Sequence, residues 1–113
     1  MTILYDLIDA IERRAPVAIR YNGKLRYICP YMLGETGQKG HVLHAFQFAG
    51  ETRNGLIGNP EDGAWRFFYL DKVEGWLVLP KEQWGWYPEN LAKAEGEYRP
   101  PPFVTKVLAL NRR

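Results

Sequence analysis

Val17-Ala18-Ile19-Arg20-Tyr21-Asn22-Gly23-Lys24-Leu25-Arg26-Tyr27-Ile28 reads as two strands joined by a tight turn. Val17, Ile19 and Tyr21 alternate with Ala18 and Arg20, and Asn-Gly between two such runs is the strongest short-range hairpin signal, because a type I′ turn needs positive φ at both central residues. A two-residue loop pairs Tyr21 with Lys24, Ile19 with Arg26 and Val17 with Ile28. Arg26 therefore shares a face with Val17, Ile19 and Ile28. Burying an ion costs several kcal/mol even after relaxation, so Arg26 lies at a sheet end, has a partner, or lines a pocket.

Outward from the hairpin, Pro30 lacks a backbone donor, so the second strand must bend, bulge or run along an edge there before continuing through Tyr31-Met32-Leu33. A polar turn at Glu35–Gly40 leads to a third strand, His41–Phe48, with Leu43, Ala45 and Gln47 on one face and Val42, His44, Phe46 and Phe48 on the other. Ala49–Gly63 holds four glycines and reads as a long connection, either functional or mobile. Ala64–Leu79 then alternates Arg66, Phe68 and Leu70 against Trp65, Phe67 and Tyr69, bends at Gly75 and resumes at Trp76–Leu79. Two largely aromatic faces imply a twice-covered strand, or one face in a core and one at a binding surface. Arg66 breaks the apolar pattern just as Arg26 does.

Ahead of the hairpin, Leu4, Leu7, Ile8 and Ile11 at helical spacing predict an amphipathic helix over Thr2–Arg14, with Thr2 as N-cap and Pro16 as stop. Beyond residue 79, Pro80–Pro102 reads as a proline-rich arm carrying Trp84, Trp86, Tyr87 and Tyr98, with one or two helical turns over Pro88–Glu95. Those aromatics either cover the sheet or form a stacking platform. Phe103–Leu110 is a closing strand and Asn111–Arg113 a basic end. The expected architecture is mainly β: a leading helix capping about five bent antiparallel strands, closed to remove exposed edges.

The chain of 113 residues suits one domain. No apolar run approaches the roughly 20 residues that span a bilayer, and the N-terminus lacks a secretion signal, so a cytoplasmic protein without membrane contact is expected. Cys29 stands alone, next to no obvious base, and reads as a buried inert thiol. His41 and His44 fall on opposite strand faces, which spoils chelation. No acid/base pair, phosphate-binding loop or dinucleotide fingerprint emerges. The expectation is a non-enzymatic protein without metal or cofactor.

Four blocks together resemble bacterial WYL domains: Pro16–Tyr21 behind Ala10-Ile11, Arg26–Tyr31, Leu43-His44-Ala45, and Trp65–Val73. The likeness covers about Leu4 to Leu79, with the tripeptide that names the family falling on His41-Val42-Leu43. It implies a leading helix and a small Sm-like or SH3-like barrel over residues 1–79, followed by the arm (80–102) and the closing strand of the same domain (103–113). Because no helix-turn-helix unit precedes Leu4, a stand-alone module is expected. Such domains sense ligands or single-stranded nucleic acid in transcriptional regulators, through a basic pocket. By position, the pocket cations are Arg26 and Arg66, with Lys72 where the family often has Arg. Arg53 from the long connection and His41 are counted with them, and Tyr21, Tyr31 and Phe68 supply stacking surfaces. The resulting expectation is a sensing module for an anionic ligand, above all single-stranded nucleic acid or a nucleotide. The alternative is a protein-interaction or homo-oligomerisation module using the aromatic arm. Internal pairing of Arg26 and Arg66 with Asp71 or Glu74 stays open at the level of sequence.

Overall fold

The computed structural model describes residues 2–58, 62–80, 82 and 100–110. Helix α1 spans Ile3–Arg13 and buries Leu7, Ala10 and Ile11, while Ile3, Leu4 and Ile8 pack against the same core. Thr2 occupies the N-cap position in extended conformation, although its side chain makes no capping bond. Arg14 turns left-handed at φ 56°, and the Ala15 N–H closes the end on the Ala10 carbonyl at 2.8 Å. Pro16 then forbids a further turn.

Strands β1 (Val17–Tyr21) and β2 (Lys24–Thr36) pair in the register set by the two-residue turn, with Tyr21 opposite Lys24, Ile19 opposite Arg26 and Val17 opposite Ile28. Asn22 (φ 52°) and Gly23 (φ 74°) supply the two positive dihedrals. Two long strands form the centre: β2, and β3 (His41–Thr52) along one of its edges. The other edge of β2 is shared, β1 taking its first half and β7 (Val104–Leu110) its second. Pro30 falls between the last β1 pair, at Ile28, and the first β7 pair, at Met32, and the β2–β3 register shifts there as well. A residue without an N–H is tolerated where the ladder is already interrupted. The outer edge of β3 is shared by β5 (Ala64–Tyr69) and β4 (Gly55–Ile57). A 3-10 turn at Leu70–Lys72 leads into β6 (Val73–Val78), which pairs with β1.

Two expectations are corrected. Among the described residues the strands form one open antiparallel sheet of seven, ordered β4-β3-β2-β1-β6 with β5 on β3 and β7 on β2, rather than a closed barrel of about five. Among the described residues no ladder joins β6 to β4 or β5, so the sheet keeps its ends. Nor is the first part of the 49–63 connection, residues 49–57, structureless: β3 runs on to Thr52 and folds back as β4 across Arg53-Asn54, with Thr52 opposite Gly55. Most of the arm, including Trp84, Trp86, Tyr87, Tyr98 and the expected turns over Pro88–Glu95, lies outside the described residues, as does the basic end 111–113.

The sheet has an apolar layer on each face. On the helix side Val17, Ile19, Tyr21, Ile28, Leu33, Leu43, Ala45, Phe68 and Ala109 pack with α1. On the far side Cys29, Tyr31, Phe46 and Phe48 are buried, with Tyr27, Ala49 and Trp65 against them. The two faces of Ala64–Leu79 thus meet different layers: Phe68 lies in the helix-side core, whereas Phe67 stacks on His44 at 4.1 Å and stays 36% exposed. Trp76 Nε1 donates to Asp6 Oδ2 at 2.7 Å, tying β6 to α1.

Candidate functional site

Strand pairing brings the two misfit arginines together. Arg26 on β2 stands opposite Ile19 and Gly50, and Arg66 on β5 stands opposite Ala45. Cross-strand partners point to one face, so both guanidinium groups belong to the helix-side face of the sheet. Arg26 is only 7% exposed. Its Cζ lies 5.6 Å from the Tyr21 ring centroid and 5.7 Å from that of Phe68, and these two rings meet edge to face at 5.0 Å. Cation–π attraction offsets part of its desolvation. The Tyr21 hydroxyl, accepting from the Tyr69 N–H at 3.1 Å, fixes one ring.

Gln47 is the third member. It is fully buried, and its Oε1 accepts from Arg26 Nη1 at 3.2 Å. Its Nε2 donates to the carbonyls of Ala49 (3.1 Å) and Glu51 (3.0 Å). The bonding pattern settles the orientation of the amide, since carbonyls only accept and a guanidinium only donates. Here β3 is bulged, Tyr27 pairing with Ala49 and Ile28 with Gln47, and Gly50 takes φ 95°. A Cβ at position 50 would run into the Leu25 carbonyl, so glycine is needed opposite Arg26.

Among the described residues no carboxylate closes the site. Among the described residues neither arginine makes an ion pair, and the Nε atoms of both are buried without a hydrogen-bond partner. Glu74 instead accepts the Gly23 N–H (2.9 Å), and Glu51 accepts the Leu25 N–H (2.9 Å). Internal pairing with Asp71 or Glu74 is therefore not formed. Burial, and after it the Arg66 charge, pull the Arg26 pKa below the ordinary arginine value, while Tyr21 and Glu51 act in the opposite sense. Arginine stays charged under such shifts, leaving two cations close together with donors to spare.

Of the eight residues expected at a binding site, Arg26, Arg66, Tyr21 and Phe68 meet here. His41 and Lys72 line a different cleft of about 800 Å³, with Lys39, Tyr69 and the start of α1, because the 3-10 turn after β5 breaks the alternation before Lys72. Tyr31 lies on the far face, edge-on to Trp65 at 4.7 Å, five residues and hence an odd step from Arg26. Arg53 is exposed in the β3–β4 turn. Gln47 is absent from the expected set. Its signal in the sequence is a polar side chain on the face of Leu43 and Ala45.

Other chemistry is sparse. Among the described residues no group of three or more His, Cys, Asp or Glu side chains is placed to hold a metal, and Cys29 is buried. Burial pushes the His44 pKa from 6.5 down to about 4. No helix among the described residues is long and apolar enough to cross a membrane. Comparison of the chain with family models, curated proteins and solved structures finds no match to any of them.

Proposed function

We propose that this chain is a non-enzymatic, WYL-like sensing module that binds an anionic ligand, single-stranded nucleic acid or a nucleotide, between Arg26 and Arg66. The observation that carries the reading is the unneutralised arginine pair: two guanidinium groups with buried, unpartnered Nε atoms and a neutral amide as the hydrogen-bonded neighbour. Leaving such donors buried without a partner costs about 1–3 kcal/mol each. Planar guanidinium forks also match phosphate and carboxylate geometry better than lysine does. Phosphate contacts give affinity without base specificity, which suits a sensor of strands or nucleotides as a class.

In thermal-shift titrations against nucleotides and short single-stranded oligonucleotides, a ligand that binds only the folded state raises the melting temperature. Arg66→Ala is expected to abolish that shift and the binding itself while leaving the fold intact, because Arg66 is only partly buried and makes no hydrogen bond among the described residues. Unchanged binding by Arg66→Ala overturns the proposal.

A further inference from the structure

We propose that Gln47 is the positioning residue of this site: it aims the Arg26 guanidinium at the ligand and, being neutral, leaves both arginine charges available. The inference rests on the anion-binding reading above. Three observations carry it. Gln47 is fully buried on the same face as both arginines, an unusual place for an amide. All three of its hydrogen bonds go to the two structures that must be held, the β3 bulge through Nε2 and Arg26 through Oε1. With Nε2 committed to two carbonyls, Oε1 has no freedom to turn away, so the amide acts as a fixed peg between backbone and guanidinium.

The choice of amide over carboxylate has an electrostatic consequence. A glutamate at position 47 has nearly the same shape and places a negative charge within hydrogen-bonding distance of Arg26, making the buried ion pair that the site otherwise lacks. That pair satisfies Arg26 internally and reduces the local charge by one. A methionine of similar volume removes the peg but leaves the charge.

The test compares binding of a fluorescent oligothymidylate by the wild type, Gln47→Glu, Gln47→Met and Arg66→Ala across a salt series. For single strands the log–log salt slope falls by about 0.7 for each phosphate that is no longer neutralised. Gln47→Glu is expected to weaken binding about tenfold or more and to flatten the slope by about that amount. Gln47→Met is expected to bind several-fold more weakly with the wild-type slope, a separation that a merely structural role does not produce. Wild-type affinity and slope in Gln47→Glu overturn the inference. Because that variant loses two donors to the Ala49 and Glu51 carbonyls, a measurement on the wild type stands beside it: nitrogen-15 relaxation of Arg26 is expected to show slowed rotation about the Nε–Cζ bond, and free rotation overturns the proposal. Failure of the wild type to bind any oligonucleotide or nucleotide refutes the anion-binding reading and this role with it. Binding by the wild type with an unchanged Gln47→Glu slope refutes this role alone.

Discussion

His44 shows how one side chain links burial to acid sensitivity. It lies on the far face of the sheet, stacked on Phe67 and 5.2 Å from the Trp65 ring, and its pKa is pushed from 6.5 down to about 4 by desolvation. The folded protein holds it neutral, so as pH falls the unfolded chain takes up the proton first. Its contribution to stability is complete above about pH 6.5 and is lost progressively between there and about pH 4. His44→Phe is expected to remove this part of the acid dependence, narrowing the stability loss over that window by on the order of 2 kcal/mol, discounted for partial exposure. Chemical denaturation of both proteins at a series of pH values measures it. At this scale the arginine pair is legible in the sequence, because Arg26 and Arg66 each interrupt an apolar alternation. Gln47 is legible only in part: its face can be read from the spacing, but its bonds depend on a bulge that no local pattern announces.

The β1–β2 hairpin is the element most fully readable in advance, down to each cross-strand pair, because Asn22-Gly23 confines the turn to one backbone shape and the turn sets the register. Gly23→Val is expected to destabilise the fold by about 1–2 kcal/mol, since a β-branched residue resists φ 74° although no atom lies near enough to clash. Urea denaturation checks the size, and the same change at Gly37, whose φ is not positive and which also has open space, serves as the control. The opposite case is β4. Its three residues follow Arg53-Asn54 in a stretch rich in glycine, and their strand character comes from pairing with Gly50–Thr52 rather than from propensity. Tyr31 departs from its expected place for a simpler reason. Alternation counted from Arg26 already sends it to the far face, but Pro30 obscures the count.

For the whole molecule, the helix, the antiparallel sheet and the single chain-wide set of strands are readable from periodicity, whereas the openness of the sheet is not. Closure depends on whether terminal strands meet, and that is decided by twist, bulges and the covering helix rather than by any one segment. In this arrangement β7 completes the second half of β2 and places Ala109 in the helix-side core. A chain ending at residue 102 is expected to lose cooperative thermal unfolding, by calorimetry, and to expose apolar surface to a hydrophobic dye. Retention of a single sharp transition would show that β2 needs only one partner there. The split edge of β2 also bears on biosynthesis. Its first half finds β1 as soon as the hairpin leaves the ribosome, but its second half must wait for a partner made roughly 70 residues later, several seconds at ordinary elongation rates. Throughout that interval Met32 to Thr36 carries an unpaired edge, so the nascent chain is at its most vulnerable to chaperone capture or misassociation before β7 emerges.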